Sequence, residues 1–160
     1  MDLPQDLKTR SQKFLQQSPH ERLTQLRLVG LARYGDFLTQ MPLTEANVRC
    51  VMGFLADPTR VKFPQLAGAT LAGLDLTGVN FIRGDLRGAD LRGSRLYRAD
   101  LIFAYFDGAD LTGADLTGAT CHRTQWQGAQ VVGCRFGAGV GLTPTQQADL
   151  QARGAVLTTA

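Results

Sequence analysis

Residues 64–138 read PQLAG ATLAG LDLTG VNFIR GDLRG ADLRG SRLYR ADLIF AYFDG ADLTG ADLTG ATCHR TQWQG AQVVG CRFGA, fifteen five-residue units without an insertion. The third position is Leu in nine units and Phe in three, with Cys121, Trp126 and Val131 completing the set. The first position is Ala in eight units, and the fifth is Gly in ten. A period of five matches neither the α-helix at 3.6 nor the β-strand at 2.0. It requires a chain that turns a corner once per unit, with the third and first positions inward. Large side chains at the third position fill the axis, and small ones at the first let neighbouring walls close. Glycine at the fifth suits a turn with positive φ. No unit can bury its own apolar residue, so the units must stack into a solenoid.

Tandem A-D-L-x-G units such as Ala109–Gly113 and Ala114–Gly118 resemble the pentapeptide-repeat family. The resemblance covers about half of the chain and implies a right-handed, four-sided β-helix with four units per coil. Thr59–Phe63 is expected to add a degenerate unit in the same register, making about four coils. Calcium-binding solenoids also mix Gly and Asp, but their period is nine. The expected organisation is a helical cap segment over 1–58, a β-helix over 59–138, and a capping helix with tail over 139–160.

A solenoid has two open edges that need covering. Thr143-Pro144-Thr145-Gln146 forms an N-cap, a proline at the first helical position and a capping-box Gln, and Gly154 ends the helix at about 153. At the other end, Leu3, Leu7, Phe14 and Leu15 suit a helix ending before Ser18-Pro19. Ser18 to Glu21 is a second capping box, predicting a helix to about Leu38 with Leu26, Gly30, Tyr34 and Phe37 on one face. Leu28 and Leu31 suggest a second buried face on that helix. Thr44-Glu45 opens a third helix, closed by Asp57-Pro58.

The chain has 160 residues and a net charge of +3, all of it from residues 1–63, where nine basic residues face six acidic ones. The repeats hold seven of each sign. That is no dense basic stripe, so nucleic acid is not the expected partner. The opening MDLPQDLKTRSQKF lacks the basic-then-apolar layout of a secretory signal, and no apolar run reaches membrane-spanning length. Cys50, Cys121 and Cys134 are odd in number and widely spaced, which suits free thiols in the cytoplasm. With no C-x-x-C and only His20 and His122, neither a metal nor a cofactor is expected. The six aspartates at second positions (75, 85, 90, 100, 110 and 115) are regular enough to be turn-builders rather than acids or bases. Arg83-Gly84-Asp85 is an RGD tripeptide by spelling alone, since each residue has its place in the repeat. No catalytic set emerges.

One wall departs from the pattern. With four units per coil, residues twenty apart share a wall, and two walls have Gly at every fifth position. The wall of Phe81, Leu101 and Cys121 instead carries Arg83, Phe103 and Arg123 there, with Ile82, Ile102 and His122 at its fourth positions. Lys62 and Phe63 lie below, and Tyr97 and Arg98 adjoin. Apolar side chains rimmed by arginines are the composition of a protein contact patch, unless the N-terminal helices fold over this wall. The expected function is a non-enzymatic interaction scaffold or assembly factor, monomeric or weakly dimeric. The family resemblance also implies an alternative, a DNA-mimicking gyrase inhibitor, which calls for a long, strongly acidic rod. By analogy with cyanobacterial repeat proteins, a regulatory or photosynthetic assembly role is a further expectation.

Overall fold

A computed structural model describes residues 4–158. Its body is a β-helical solenoid whose coils pair in parallel at single residues twenty apart, from Gln65 with Asp85 to Asp115 with Arg135. The backbone donors of each unit are accounted for by position. The second-position N–H of Asp90 donates to Ala69 O of the preceding coil at 2.9 Å, while Leu91 and Gly93 donate to Asp110 O and Thr112 O of the next. The first-position N–H closes the corner, as Ala89 does onto Leu86 O at 3.1 Å. The fourth-position N–H goes to the carboxylate two residues back: Arg92 N–H to Asp90 Oδ1 at 3.2 Å and Thr112 N–H to Asp110 Oδ1 at 3.0 Å. The regular aspartates are therefore turn acceptors.

Third positions form the axial core, all of them buried from Leu66 to Phe136. Phe106 and Trp126 stack at 4.5 Å, and Phe136 meets Trp126 edge-on at 5.2 Å. Ser94 and Thr124 replace alanine at first positions and are buried, each hydroxyl donating to the carbonyl three residues back. Cys121 and Cys134 point into this core, and burial pushes both thiols up to about 12. Burial likewise pushes Cys50 up to about 11.

The helical segment comprises α1 (Pro4–Gln16), α2 (Pro19–Leu28), a 3₁₀ turn (Ala32–Tyr34), α3 (Gly35–Leu38) and α4 (Glu45–Ala56). Leu3, assigned to the first helix from its spacing, lies outside the described residues. The helix expected to run from 19 to 38 stops at Leu28. Gly30 takes φ 78°, with Leu31 N–H on Leu26 O and Gly30 N–H on Arg27 O, the paired bonds of a Schellman stop. Leu31 consequently enters the core as part of the next segment, while Leu28 is 81% exposed, so α2 has no second buried face. Thr59–Phe63 is not a repeat unit either. Pro58–Arg60 forms a 3₁₀ turn, and the bridges begin at Gln65.

Arg22 pins the helical segment and was not singled out from sequence. It is buried, forms no ion pair among the described residues, and donates to Leu15 O, Gln17 O, Leu38 O and Met41 O at 2.7–3.1 Å. Those carbonyls lie at the ends of α1 and α3, where helical acceptors lack partners. Tyr34, Phe37 and Phe54 form an aromatic cluster in the same segment, and Phe37 meets Phe81 of the first coil at 5.4 Å, which makes the two cores continuous.

The first coil has no preceding coil to receive its second-position backbone groups. Two side-chain amides stand in for the missing peptides. Asn47 Oδ1 accepts Thr70 N–H at 2.7 Å while its Nδ2 donates to Thr70 O at 3.0 Å. Gln40 does the same at Asp75, at 3.1 and 2.7 Å. At the far end, α5 (Pro144–Ala152) opens with the expected capping box of Thr143 and Gln146. Beyond it an unforeseen strand, β2 (Val156–Leu157), pairs in parallel with β1 (Arg135–Gly137). Arg153 and Gln146 cover the carbonyls of Trp126, Ala129 and Thr124.

Asn47 is fully buried, so Asn47→Ala leaves a peptide group of Thr70 without partners and should cost about 1–3 kcal/mol for each unsatisfied group. Gln40 is exposed, and water can replace it after Gln40→Ala, with an expected loss under about 1 kcal/mol. Urea midpoints of the two variants check the ranking.

Candidate functional site

The fifth position of each unit demands left-handed backbone. Its glycines have φ between 64° and 76°, and four non-glycine residues hold the same conformation: Arg83 at 56°, Arg98 at 57°, Phe103 at 61° and Arg123 at 57°. No other described non-glycine residue has positive φ. A side chain there costs on the order of 1–2 kcal/mol over glycine. Three of the four stand in one column.

That column runs along the wall built on Phe81, Leu101 and Cys121. Arg83 N–H donates to Ile102 O and Phe103 N–H to His122 O, at 2.8 and 2.9 Å, which fixes the register of neighbouring coils. The Arg83 guanidinium lies 5.6 Å from the Phe63 ring and 4.9 Å from Phe103, and Arg123, one coil further on, sits 6.0 Å from Phe103. Phe63, Arg83, Phe103 and Arg123 thus form an alternating aromatic and cationic ladder, each rung twenty residues from the last. Phe63 joins it from outside the repeats. Both phenylalanines remain 39% exposed, and Arg83, Arg123 and His122 are exposed. Ile82 and Ile102 are half-buried beside them, their N–H groups held by Asn80 Oδ1 and Asp100 Oδ1. On the adjoining wall Arg98 stacks on Tyr97 at 5.1 Å; Tyr97 is half-buried and Arg98 exposed.

All eight residues singled out from sequence therefore lie on two adjacent walls. The described helices sit at the mouth of the solenoid and leave the Arg83–Phe103–Arg123 column open. Sequence reading missed a cleft of about 230 Å³ at its foot, where Arg33, Tyr34 and Lys62 meet Phe63, Asn80 and Ile82. Arg33 caps it, with its guanidinium 4.6 Å from the Tyr34 ring and a 2.7 Å bond to Val61 O. Nothing local in the sequence places Arg33 there, because the break at Gly30 brings it round.

The family model for pentapeptide repeats matches residues 65–96 and 94–129, in eight copies. Residues 65–129 are thus a run of pentapeptide repeats. A solved pentapeptide repeat protein from the cyanobacterium Cyanothece 51142 is 30% identical over 41% of this chain and 48% of its own, with a TM-score of 0.36. One from Nostoc PCC 7120 is 27% identical over 60% and 86%, with a TM-score of 0.31. QnrB1, a plasmid-mediated fluoroquinolone resistance protein, is 18% identical over 59% and 60%, with a TM-score of 0.39. The chain spans about half the length of the first of these. No curated protein matches it.

Charge is organised differently on the other walls. Arg87 and Arg92 each form a two-pronged bond to Asp85 and Asp90, and Arg135 reaches Asp115 at 3.4 Å. The side-chain bonds from Arg87 and Arg92 hold Asp85 and Asp90 below the usual carboxylate range, and the Thr77 hydroxyl does so for Asp75. At Asp115 burial pushes upward, and the Thr117 bonds outweigh it. Arg83, Arg98 and Arg123 form no ion pair among the described residues. No cluster of His, Cys, Asp and Glu among the described residues is arranged to hold a metal ion, and no described helix is long and apolar enough to cross a membrane.

Gly108→Ala meets only ordinary contacts, so its expected cost of about 1–2 kcal/mol is backbone strain. Arg83→Gly, the reverse exchange, should leave the urea midpoint unchanged or raise it; a clear loss would show that the ladder outweighs the strain. The depressed carboxylates contribute stability that is present above about pH 4 and lost as pH falls through their folded values, whereas the buried thiols favour the folded state until unfolded cysteine ionises above about pH 8.5. Urea midpoints should therefore be flat between about pH 5 and 8 and decline on both sides, with Asp90→Asn reducing the acid limb.

Proposed function

We propose that the protein is a non-enzymatic interaction scaffold: a right-handed, four-sided β-helix that presents the Phe63–Arg83–Phe103–Arg123 wall to a protein partner. The observation that carries this reading is the strained conformation at Arg83, Phe103 and Arg123. Glycine serves the fold at ten of the fifteen equivalent positions, so these side chains cost stability that the solenoid does not need. Aromatic and arginine side chains are also the groups that supply most energy at protein interfaces. Tyr97, Arg98, Ile82, Ile102 and His122 extend the same surface. Three buried free thiols suit a reducing compartment such as the cytoplasm, with the chain working as a monomer or weak dimer.

The charge layout supports this reading over a DNA-mimicking topoisomerase inhibitor. Seven basic residues balance seven acidic ones in the repeats, and pairing with arginine neutralises Asp85, Asp90 and Asp115. A gyrase supercoiling assay should register no inhibition at micromolar protein.

Capture of partners from native lysate, read by mass spectrometry, tests the wall. The double variant Phe103→Gly, Ile82→Ser should lose the partner that the unaltered chain retains, with a thermal melt close to the original. An unchanged set of captured proteins would move the search to the helical segment. A sharply lower melt would make the wall internal packing.

A further inference from the structure

Three of the seven arginines in the repeats form ion pairs, and none of those three stands in the column. Arg87, Arg92 and Arg135 each face an aspartate, whereas Arg83, Arg98 and Arg123 do not. Lys62 and Arg33 bring two further cations to the cleft at the column's foot, and neither forms an ion pair among the described residues. The second positions of this wall offer Asn80, Asp100 and Thr120, and the Asp100 carboxylate accepts the Ile102 N–H at 3.3 Å. A row of cations with no ion pair among the described residues thus borders an apolar strip, which is the complement of a negatively charged chain.

Geometry narrows the class further. The backbone groups of the wall are consumed by stacking, as with Arg83 N–H on Ile102 O and Phe103 N–H on His122 O, so a ligand cannot join as an added strand and must bind through side chains. The Phe103 ring has two arginines over it, at 4.9 and 6.0 Å, and Arg83 also lies over Phe63. Ring faces occupied by guanidinium are poor platforms for nucleic-acid bases, which bind single-strand sites by stacking on free faces. Guanidiniums held on rings keep outward N–H groups for carboxylates. Coils rise about 4.8 Å each, so Arg83 and Arg123 stand roughly 10 Å apart. A polyproline II segment advances about 9.3 Å in three residues and returns to the same face.

We infer that the ligand of this wall is an acidic peptide segment, extended along the column, with carboxylates three residues apart on Arg83 and Arg123 and an apolar side chain in the cleft beside Phe63 and Ile82. The inference rests on the wall being the partner-binding face. It names what that partner must present.

Fluorescence anisotropy on the full chain tests it with three labelled probes: a proline-rich peptide with glutamate at every third position and a terminal leucine, its glutamine counterpart, and oligothymidylate. The glutamate peptide should bind, the glutamine peptide about tenfold or more weaker, and affinity should fall between about 50 and 200 mM salt. Arg83→Gly with Arg123→Gly should abolish the preference for glutamate; both positions hold glycine-type backbone, so the fold is retained. Arg92→Gln, which alters a cation already paired on another wall, should change nothing. Equal binding of the two peptides, no binding of either, or tighter Arg83-dependent binding of oligothymidylate would each overturn the inference. If the peptides fail while the Phe103→Gly, Ile82→Ser variant still loses its captured partner, the wall reading stands and only the acidic chemistry falls. If that variant also keeps its partner, both fall.

Discussion

Each interior coil of this protein hydrogen-bonds its backbone to the coil above and the coil below through three of the five N–H groups in its regular units. Second-position donors point one way along the axis, and third- and fifth-position donors point the other. A coil removed from the stack would lose both sets of partners and expose its axial Leu or Phe. Stacking is thus the condition for any of it to fold, and the two terminal coils carry an unsatisfied edge as a direct consequence.

The ends answer that edge with different chemistry. The N-terminal helices supply two primary amides, Asn47 and Gln40, each offering an acceptor and a donor to one peptide. A helix cannot offer its own backbone for this, so side chains with peptide-like groups substitute. The C-terminus instead contributes backbone: β2 continues the parallel ladder for two residues, and Gly154 O accepts Gly133 N–H at 2.9 Å. The small helical segment needs its own internal anchor, and Arg22 provides it by joining the ends of α1 and α3.

The same repeat that enforces the fold makes exceptions informative. Where position five is glycine, the outer surface holds short polar groups and arginine–aspartate pairs that neutralise each other. Where it is Arg83, Phe103 or Arg123, strained backbone and unpaired charge coincide in one column. The twenty-residue stacking period aligns residues far apart in the chain at a spacing of about 4.8 Å, so a fixed row of anchors arises from single substitutions in successive coils.

The sequence by itself determined the solenoid, its register, the inward third positions and the set of wall residues, because a five-residue period ties each position to one environment. It also determined the capping box at Thr143, since that signal is local. The stop at Gly30 was just as local, but a glycine on an apolar face fits either a helix or its end, and only the packing of Leu31 decided between them. Tertiary structure alone decided that Asn47 and Gln40 seal the first coil, that Leu28 stays in water, and that Arg33 and Lys62 meet Phe63 in a cleft. Each of those depends on where one segment lands on another, and no spacing within either segment encodes that landing.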